Sequence, residues 1–413
     1  MSSTNQRSGV ERQRLRSVDA LRGLAALMVL LKHVPHPDGS PNSSQRFLFL
    51  PFDYGPQGVI LFLVISGFCI HLAFAKMLAD GRGPACNWTS FWRRRFYRLY
   101  PPYLAAIGLS ILCVFVVRWI NPGLPAAWAT RGAFGRDLGT HLLLVHNLFA
   151  KYVTGLGNGA FWSLGLEEQL YLLYALFLMV RIRLGLYRAF FGTLAVSVIW
   201  YLTGVGGFFN HACPGWVNWP FTWWVVWMLG VLAAENFAGV LRLPEWCFNS
   251  QILVASLVTG VLLYSPVSTL LHADRLLTFL LGPVPLARHF LSLNCFSHYA
   301  FALAFFILIN WVVRAELLSR WNGTIKNWFT NIGIFSYSLY LVHIPMIVVA
   351  EAVFERLAIR HTVGMVVVRY AIMAPICLMA AWLFFQLVES RFLNSGKANL
   401  TTRPIGEAIK VAA

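Results

Sequence analysis

Charge is scarce in this sequence. Asp, Glu, Lys and Arg together make up 12% of its 413 residues, against about 25% in a soluble domain. That excludes an ordinary soluble fold, and what takes the place of charge is apolar: 58% of residues are hydrophobic, with a mean hydropathy of +0.63. Acid is the scarcer sign, 16 Asp and Glu against 33 Lys and Arg, for a net charge of +17. Such an excess could suggest a nucleic-acid partner. Basic loops on one side of a membrane give the same total, and the apolar content decides for them, with no nucleic acid. The seven cysteines (Cys69, Cys86, Cys113, Cys213, Cys247, Cys295 and Cys377) form no CxxC and no metal-ligand spacing. They read as small apolar packing residues and not as a metal site, although Cys213 and Cys295 could both fall on the outer side and pair. No internal repeat and no low-complexity tract is visible.

A spanning helix needs about 20 apolar residues. Ten segments approach this: 18–34, 55–78, 99–120, 161–180, 188–208, 217–236, 252–271, 296–313, 331–349 and 363–388. The expectation is an all-α polytopic integral membrane protein of about ten transmembrane helices. Two shorter apolar pieces, 138–149 and 276–286, read as interfacial or re-entrant. Lys and Arg concentrate in alternate connecting segments, as in Arg93, Arg94, Arg95 and Arg98 or Arg314, Arg320 and Lys326, which sets both termini in the cytoplasm. The chain then divides into a basic tail at 1–16, a membrane domain at 17–392 and a second tail at 393–413. No cleavable leader is expected, because Lys32, His33 and Pro35 follow the first apolar run instead of a small-residue cleavage site.

Within the apolar segments a few polar residues stand out. In "DALRGLAALMVLLKH", Arg22 and His33 are eleven residues apart, about 1100° of rotation, so they share one helix face roughly 16 Å apart along the axis. Arg22 would sit near the cytoplasmic surface, with Asp19 as an i,i+3 partner, and could equally snorkel to the headgroups. His33 would lie in the outer half of the membrane, where an imidazole could take a proton from an attacking hydroxyl or simply be hydrogen-bonded. "FWRRRFYRLYPPY" carries Arg94, Arg95 and Arg98 on neighbouring turns, a grip for phosphates or an anchor on anionic lipid. Pro101 and Pro102 are expected to end or bend that segment. "WSLGLEEQLY" places Glu167 and Glu168 about 100° apart, so only one can face a given cavity. "IFSYSLYLVHIP" puts Ser336, Tyr340 and His343 on one side of a helix, for substrate or for interhelical hydrogen bonds. In "GVILFLVISGFCI", Ser66 and Gly67 read best as a close helix contact.

In their order these motifs resemble the acyltransferase 3 family of integral-membrane acyltransferases. Arg22 and His33 match its Arg-x10-His signature, and "GVILFLVISGFCI" its second-helix motif. Arg95 to Arg98 match its Arg-x-x-Arg element, with "LYPPY" following as its Tyr-Pro element. "WSLGLEEQLY" matches its Trp-Ser-Leu-x-x-Glu motif, which singles out Glu167, and "SYSLYLVHIP" its penultimate-helix motif. The resemblance runs from about Ser17 to about Phe392. Cys69 and His71 depart from the second motif.

The resemblance implies transfer of an acyl group, usually acetyl, from cytosolic acyl-coenzyme A (acetyl-CoA) to a hydroxyl of a cell-surface glycan or lipid-linked saccharide. It further implies ten helices in the cell inner membrane. His33 would be the general base or acyl-handling residue, and Arg22 would position the donor. Arg95 and Arg98, with Arg94 beside them, would bind coenzyme A phosphates. Glu167 would orient His33 or the acceptor, and Ser336, Tyr340 and His343 would meet substrate. Some relatives carry a fused hydrolase-like domain. With only residues 393–413 after the membrane domain, none is expected here, and the acceptor would be served directly or by a separate partner protein. The competing class is a transporter or lipid-binding membrane protein whose polar face lines a pathway without chemistry.

Overall fold

A computed structural model describes residues 15–34, 50–82, 86–122, 131–205, 215–264, 267–268, 271, 286–321, 323–357 and 363–395. The helices are α1 (Arg16–His33), α2 (Gly55–Ala79), α3 (Trp88–Ile120), α4 (Arg131–Leu142), α5 (Trp162–Leu184), α6 (Leu186–Val205), α7 (Pro220–Phe237), α8 (Ser250–Leu263), α9 (Leu286–Leu317), α10 (Thr324–Ile334), α11 (Ser336–Arg356) and α12 (Val363–Phe384). A π-helical turn (Phe385–Glu389) and α13 (Ser390–Ser395) follow α12. No strand occurs among the described residues. The protein is an all-α polytopic membrane protein.

Eight of the described helices are long and apolar enough to cross a membrane: α2, α3, α5, α6, α7, α9, α11 and α12. The other two expected spans differ for separate reasons. Helix α1 has 18 residues but carries Arg16, Asp19, Arg22 and Lys32. Helix α8 has 14 residues, about 21 Å, short of the roughly 30 Å hydrocarbon core. The apolar piece 138–149 is the end of α4 followed by a 3-10 turn at His146–Leu148. The piece at 276–286 falls almost wholly outside the described residues, as does Cys213; of Cys295 only the backbone is described.

Helix α1 is buried on nearly every side, from Ser17, Val18 and Asp19 to Val29 and Leu30, the pattern of a helix inside a bundle. It packs most extensively on α10 and α2, and then on α11. Two glycine pairs permit the closest crossings. A Cβ on Gly67 would strike the Trp227 carbonyl oxygen, and one on Gly230 would strike that of Val64, so α2 and α7 meet backbone to backbone. Gly23 and Gly333 do the same for α1 and α10, against the carbonyls of Phe329 and Asp19. Small residues are what let membrane helices approach this closely.

Prolines mark the places where backbone groups need other partners. The pair Pro101–Pro102 does not end its segment: α3 runs through both for 33 residues and places the arginine cluster and the following span on one helix. Pro102 is buried within this continuous helix, as prolines inside membrane helices are tolerated where neighbouring groups take up the freed backbone. Pro345 lies inside α11 and cannot bond the carbonyl of Leu341. The Asn158 amide donates to that oxygen instead, at 2.9 Å.

Overpacking costs about 1–3 kcal/mol and more where backbone blocks relaxation. Gly67→Val or Gly230→Val should therefore lower thermal stability and the yield of monodisperse protein in detergent. Gly108→Ala, where nothing lies within 4 Å of the added carbon, should leave both unchanged or slightly improved.

Candidate active site

Helices α1, α2, α3, α5 and α11 enclose a cavity of about 180 Å³. Its wall includes Arg22, Arg95, Arg98, Glu167, Ser336 and Tyr340, so six of the nine residues to which the resemblance gives a role meet there. Three guanidinium groups and one carboxylate reach this wall, with Asp19 paired behind Arg22, and guanidinium groups are the side chains that grip phosphate or another polyanion.

Each charge is held by its neighbours. Arg22 Nη1 donates to Asp19 Oδ1 at 2.9 Å, the i,i+3 pair, and Nη2 reaches Cys69 Sγ at 3.1 Å. The Arg95 guanidinium lies over the rings of Phe91 and Tyr171, 5.9 and 6.0 Å from their centroids. Glu167 accepts from Ser66 Oγ at 2.7 Å and from the Tyr171 hydroxyl. Ser66 in turn accepts from Trp227 Nε1 at 3.2 Å. Glu167 is thus anchored in the cavity and bonds neither histidine. Glu168, one residue on, faces a separate small pocket beside Tyr103 and Tyr337, as the 100° step requires. Arg94 does not line the cavity; its Nη1 donates to Ser90 Oγ one turn earlier, at 2.5 Å. Of the pair Ser66 and Gly67, the glycine makes the expected close helix contact, whereas the serine lines the cavity.

The opposite end of α1 carries the second group. His343, fully buried on α11, has Nδ1 at 3.0 Å from the Leu339 carbonyl and Nε2 at 3.3 Å from His33 Nδ1. His33 Nδ1 also lies 2.8 Å from the Val29 carbonyl. Carbonyl oxygens only accept, so both Nδ1 atoms carry hydrogen. His343 Nε2 is then a bare acceptor for His33 Nδ1–H, and the free lone pair of His33 is on Nε2, on an exposed residue. Neither histidine lines the cavity. Tyr340 does, and its ring centroid is 5.8 Å from that of His343. Its hydroxyl donates to the Ala160 carbonyl at 3.0 Å and receives Ser163 Oγ at 2.5 Å. Ser336 Oγ donates to Gly333 O, at 2.9 Å.

Several site residues escaped the sequence reading. Tyr171 and Trp227 look like apolar filler until Glu167 and Ser66 are placed beside them. Glu389 is more telling. It is 3% exposed, in the π-helical turn, and accepts from the Ser338 backbone N–H at 3.2 Å and Ser338 Oγ at 2.5 Å. Ser338 is in the first turn of α11, so this carboxylate caps the helix bearing Tyr340 and His343 from another helix. An acid at the edge of the last apolar run was the available signal.

These features define a multi-pass membrane protein with a polar, cation-rich site inside its helical bundle. The profile of the acyltransferase 3 family, described as an acyltransferase domain, matches residues 15–386. The chain belongs to that family. It is similar to acyltransferase MdmB of Streptomyces mycarofaciens, 30% identical over 40% of this chain and 39% of that protein. It is also similar to protein 2 in the picA locus of Rhizobium radiobacter, 32% identical over 26% of this chain and 49% of that one. The matched region therefore spans less than half of either relative. No solved structure matches.

Losing the Glu389 carboxylate strands a buried helix N-terminus, and a charge-assisted hydrogen bond contributes about 1.5–3 kcal/mol. Glu389→Ala should be destabilised by about that amount in thermal unfolding, and Glu389→Gln, which keeps an acceptor oxygen, by less.

Proposed function

We propose that this protein is an O-acyltransferase of the cell inner membrane. It takes an acyl group, acetyl first among the candidates, from cytosolic acyl-CoA and delivers it to a hydroxyl of a cell-surface glycan or lipid-linked saccharide. The observation that carries the reading is the His33–His343 contact. It leaves the lone pair of Nε2, on an exposed residue, at one end of a helix whose other end reaches an arginine-lined cavity.

The chemistry follows from that arrangement. Arg95, Arg98 and Arg22 hold the donor's phosphates on the cytoplasmic side and present its thioester toward the His33 end, roughly 16 Å along α1. His33 Nε2 takes the proton of the acceptor hydroxyl as its oxygen attacks the thioester carbonyl. The C–S bond breaks, a C–O ester bond forms, and the proton passes to the departing thiolate, giving free coenzyme A and the O-acylated saccharide. The imidazolium that forms in between keeps its Nδ1–H on the Val29 carbonyl and His343 Nε2, so positive charge develops against two fixed acceptors. Tyr340 separates the cavity from this pair and Glu167 fixes the facing wall. The charge asymmetry of the loops supports the cytoplasmic placement of the arginines.

Purified protein in detergent with radiolabelled acetyl-CoA tests the reading. Wild type should release free coenzyme A, and His33→Ala should retain donor binding while turnover falls about 10²–10⁴-fold, the usual contribution of a general base. Arg95→Ala/Arg98→Ala should bind the donor at least tenfold more weakly, from the loss of charged hydrogen bonds. Equal binding and no turnover in all three would remove this donor and favour a transporter.

A further inference from the structure

A second cavity, about 350 Å³, shares no residue with the first. It lies on the far side of α2, between α7, α9 and the turn that joins α7 to α8. Its floor is apolar, with Phe68, Phe248 and Ile309. Its rim carries two exposed arginines, Arg242 and Arg314, with one acid, Glu245, 3.9 Å from Arg314. Glu245 is 91% exposed, so it neutralises little of that charge. The Arg314 guanidinium rests on Phe248, 5.1 Å from the ring centroid, which fixes a cation directly over the apolar floor.

The depth of this site is also marked. Glu316, two residues beyond Arg314, caps the start of α1 through the backbone N–H groups of Arg16 and Ser17, at 2.8 and 2.9 Å. The rim is therefore level with the basic end of the bundle, the end that the loop charges assign to the cytoplasm. Trp246, exposed on the same turn as Glu245, is the residue type that sits at the headgroup level of a bilayer.

We propose that this cavity binds one anionic glycerophospholipid of the cytoplasmic leaflet. Its phosphodiester pairs with Arg242 and Arg314, and the first part of its acyl chains lies on Phe68, Phe248 and Ile309. One cation held over an apolar floor and a second on the same rim, at headgroup depth, select anionic over zwitterionic lipid, because a choline headgroup brings its own positive charge to the arginines. The site is independent of acyl transfer and rests only on the orientation of the bundle.

Native mass spectrometry of the purified protein, titrated with phosphatidylglycerol or phosphatidylcholine, provides the test. Wild type should retain one phosphatidylglycerol at lipid concentrations where phosphatidylcholine is lost. Arg242→Ser/Arg314→Ser should weaken that retention roughly thirtyfold, since each arginine near an anionic surface contributes about a factor of five. Arg183→Ser/Arg188→Ser, which removes two exposed arginines elsewhere at the basic end, should leave it unchanged. Equal loss in both double variants, or equal retention of the two lipids by wild type, would overturn the proposal. So would displacement of the bound lipid by millimolar sn-glycerol 3-phosphate, which would assign the arginines to a soluble phosphate ester. The wild-type comparisons stand even if the Arg242/Arg314 variant does not fold.

Discussion

An ionised group in hydrocarbon has to find its partners inside the protein, and in this molecule that requirement falls on α1. The helix brings Asp19, Arg22, Lys32 and His33 into the bundle. Asp19 and Arg22 pair with each other, Lys32 reaches Asp53 at 2.6 Å, and His33 meets His343. Even the first backbone N–H groups are taken by Glu316. The other helices are arranged to make this possible. Gly23 and Gly333 bring α10 against its backbone, and α2 and α11 close around the remaining faces.

The same requirement explains a recurring device, a carboxylate on one helix closing the open N-terminus of another. Glu316 does this for α1 and Glu389 for α11. In water either end could be capped by solvent or by a local serine. In a bilayer the donor groups need a fixed acceptor, and an anion there also meets the positive end of the helix dipole. The π-helical turn that ends α12 directs Glu389 toward Ser338, an example of such turns occurring where a side chain has to be aimed. The two helices that carry the histidine pair are therefore each fastened at their starting turn.

Eight of the ten expected spans and the family were legible in the sequence because they depend on composition and on short motifs. The cavity wall was legible in part for the same reason: Arg22, Arg95, Arg98, Glu167, Ser336 and Tyr340 all lie in those motifs. What could not be read is what one motif does to another. The His33–His343 contact joins residues 310 apart, and the Asn158 bond to Leu341 joins residues 183 apart. Period and spacing carry no information about such pairings. Local rules also misled where tertiary packing overrode them. Pro101 and Pro102 read as an end or a bend, yet α3 runs on through both.

The capping of α1 has a consequence for synthesis. Its N-terminal acceptor is 300 residues downstream and the partner of His33 is 310 downstream. At about 5–20 residues per second, translation takes roughly 15–60 seconds to supply them. Through that interval α1 has neither its cap nor its histidine partner, and its charges keep it from being a strong membrane anchor alone. Helix α1 is thus among the last of the described helices to reach its final surroundings, and a nascent chain interrupted before α9 would leave its first turn uncapped.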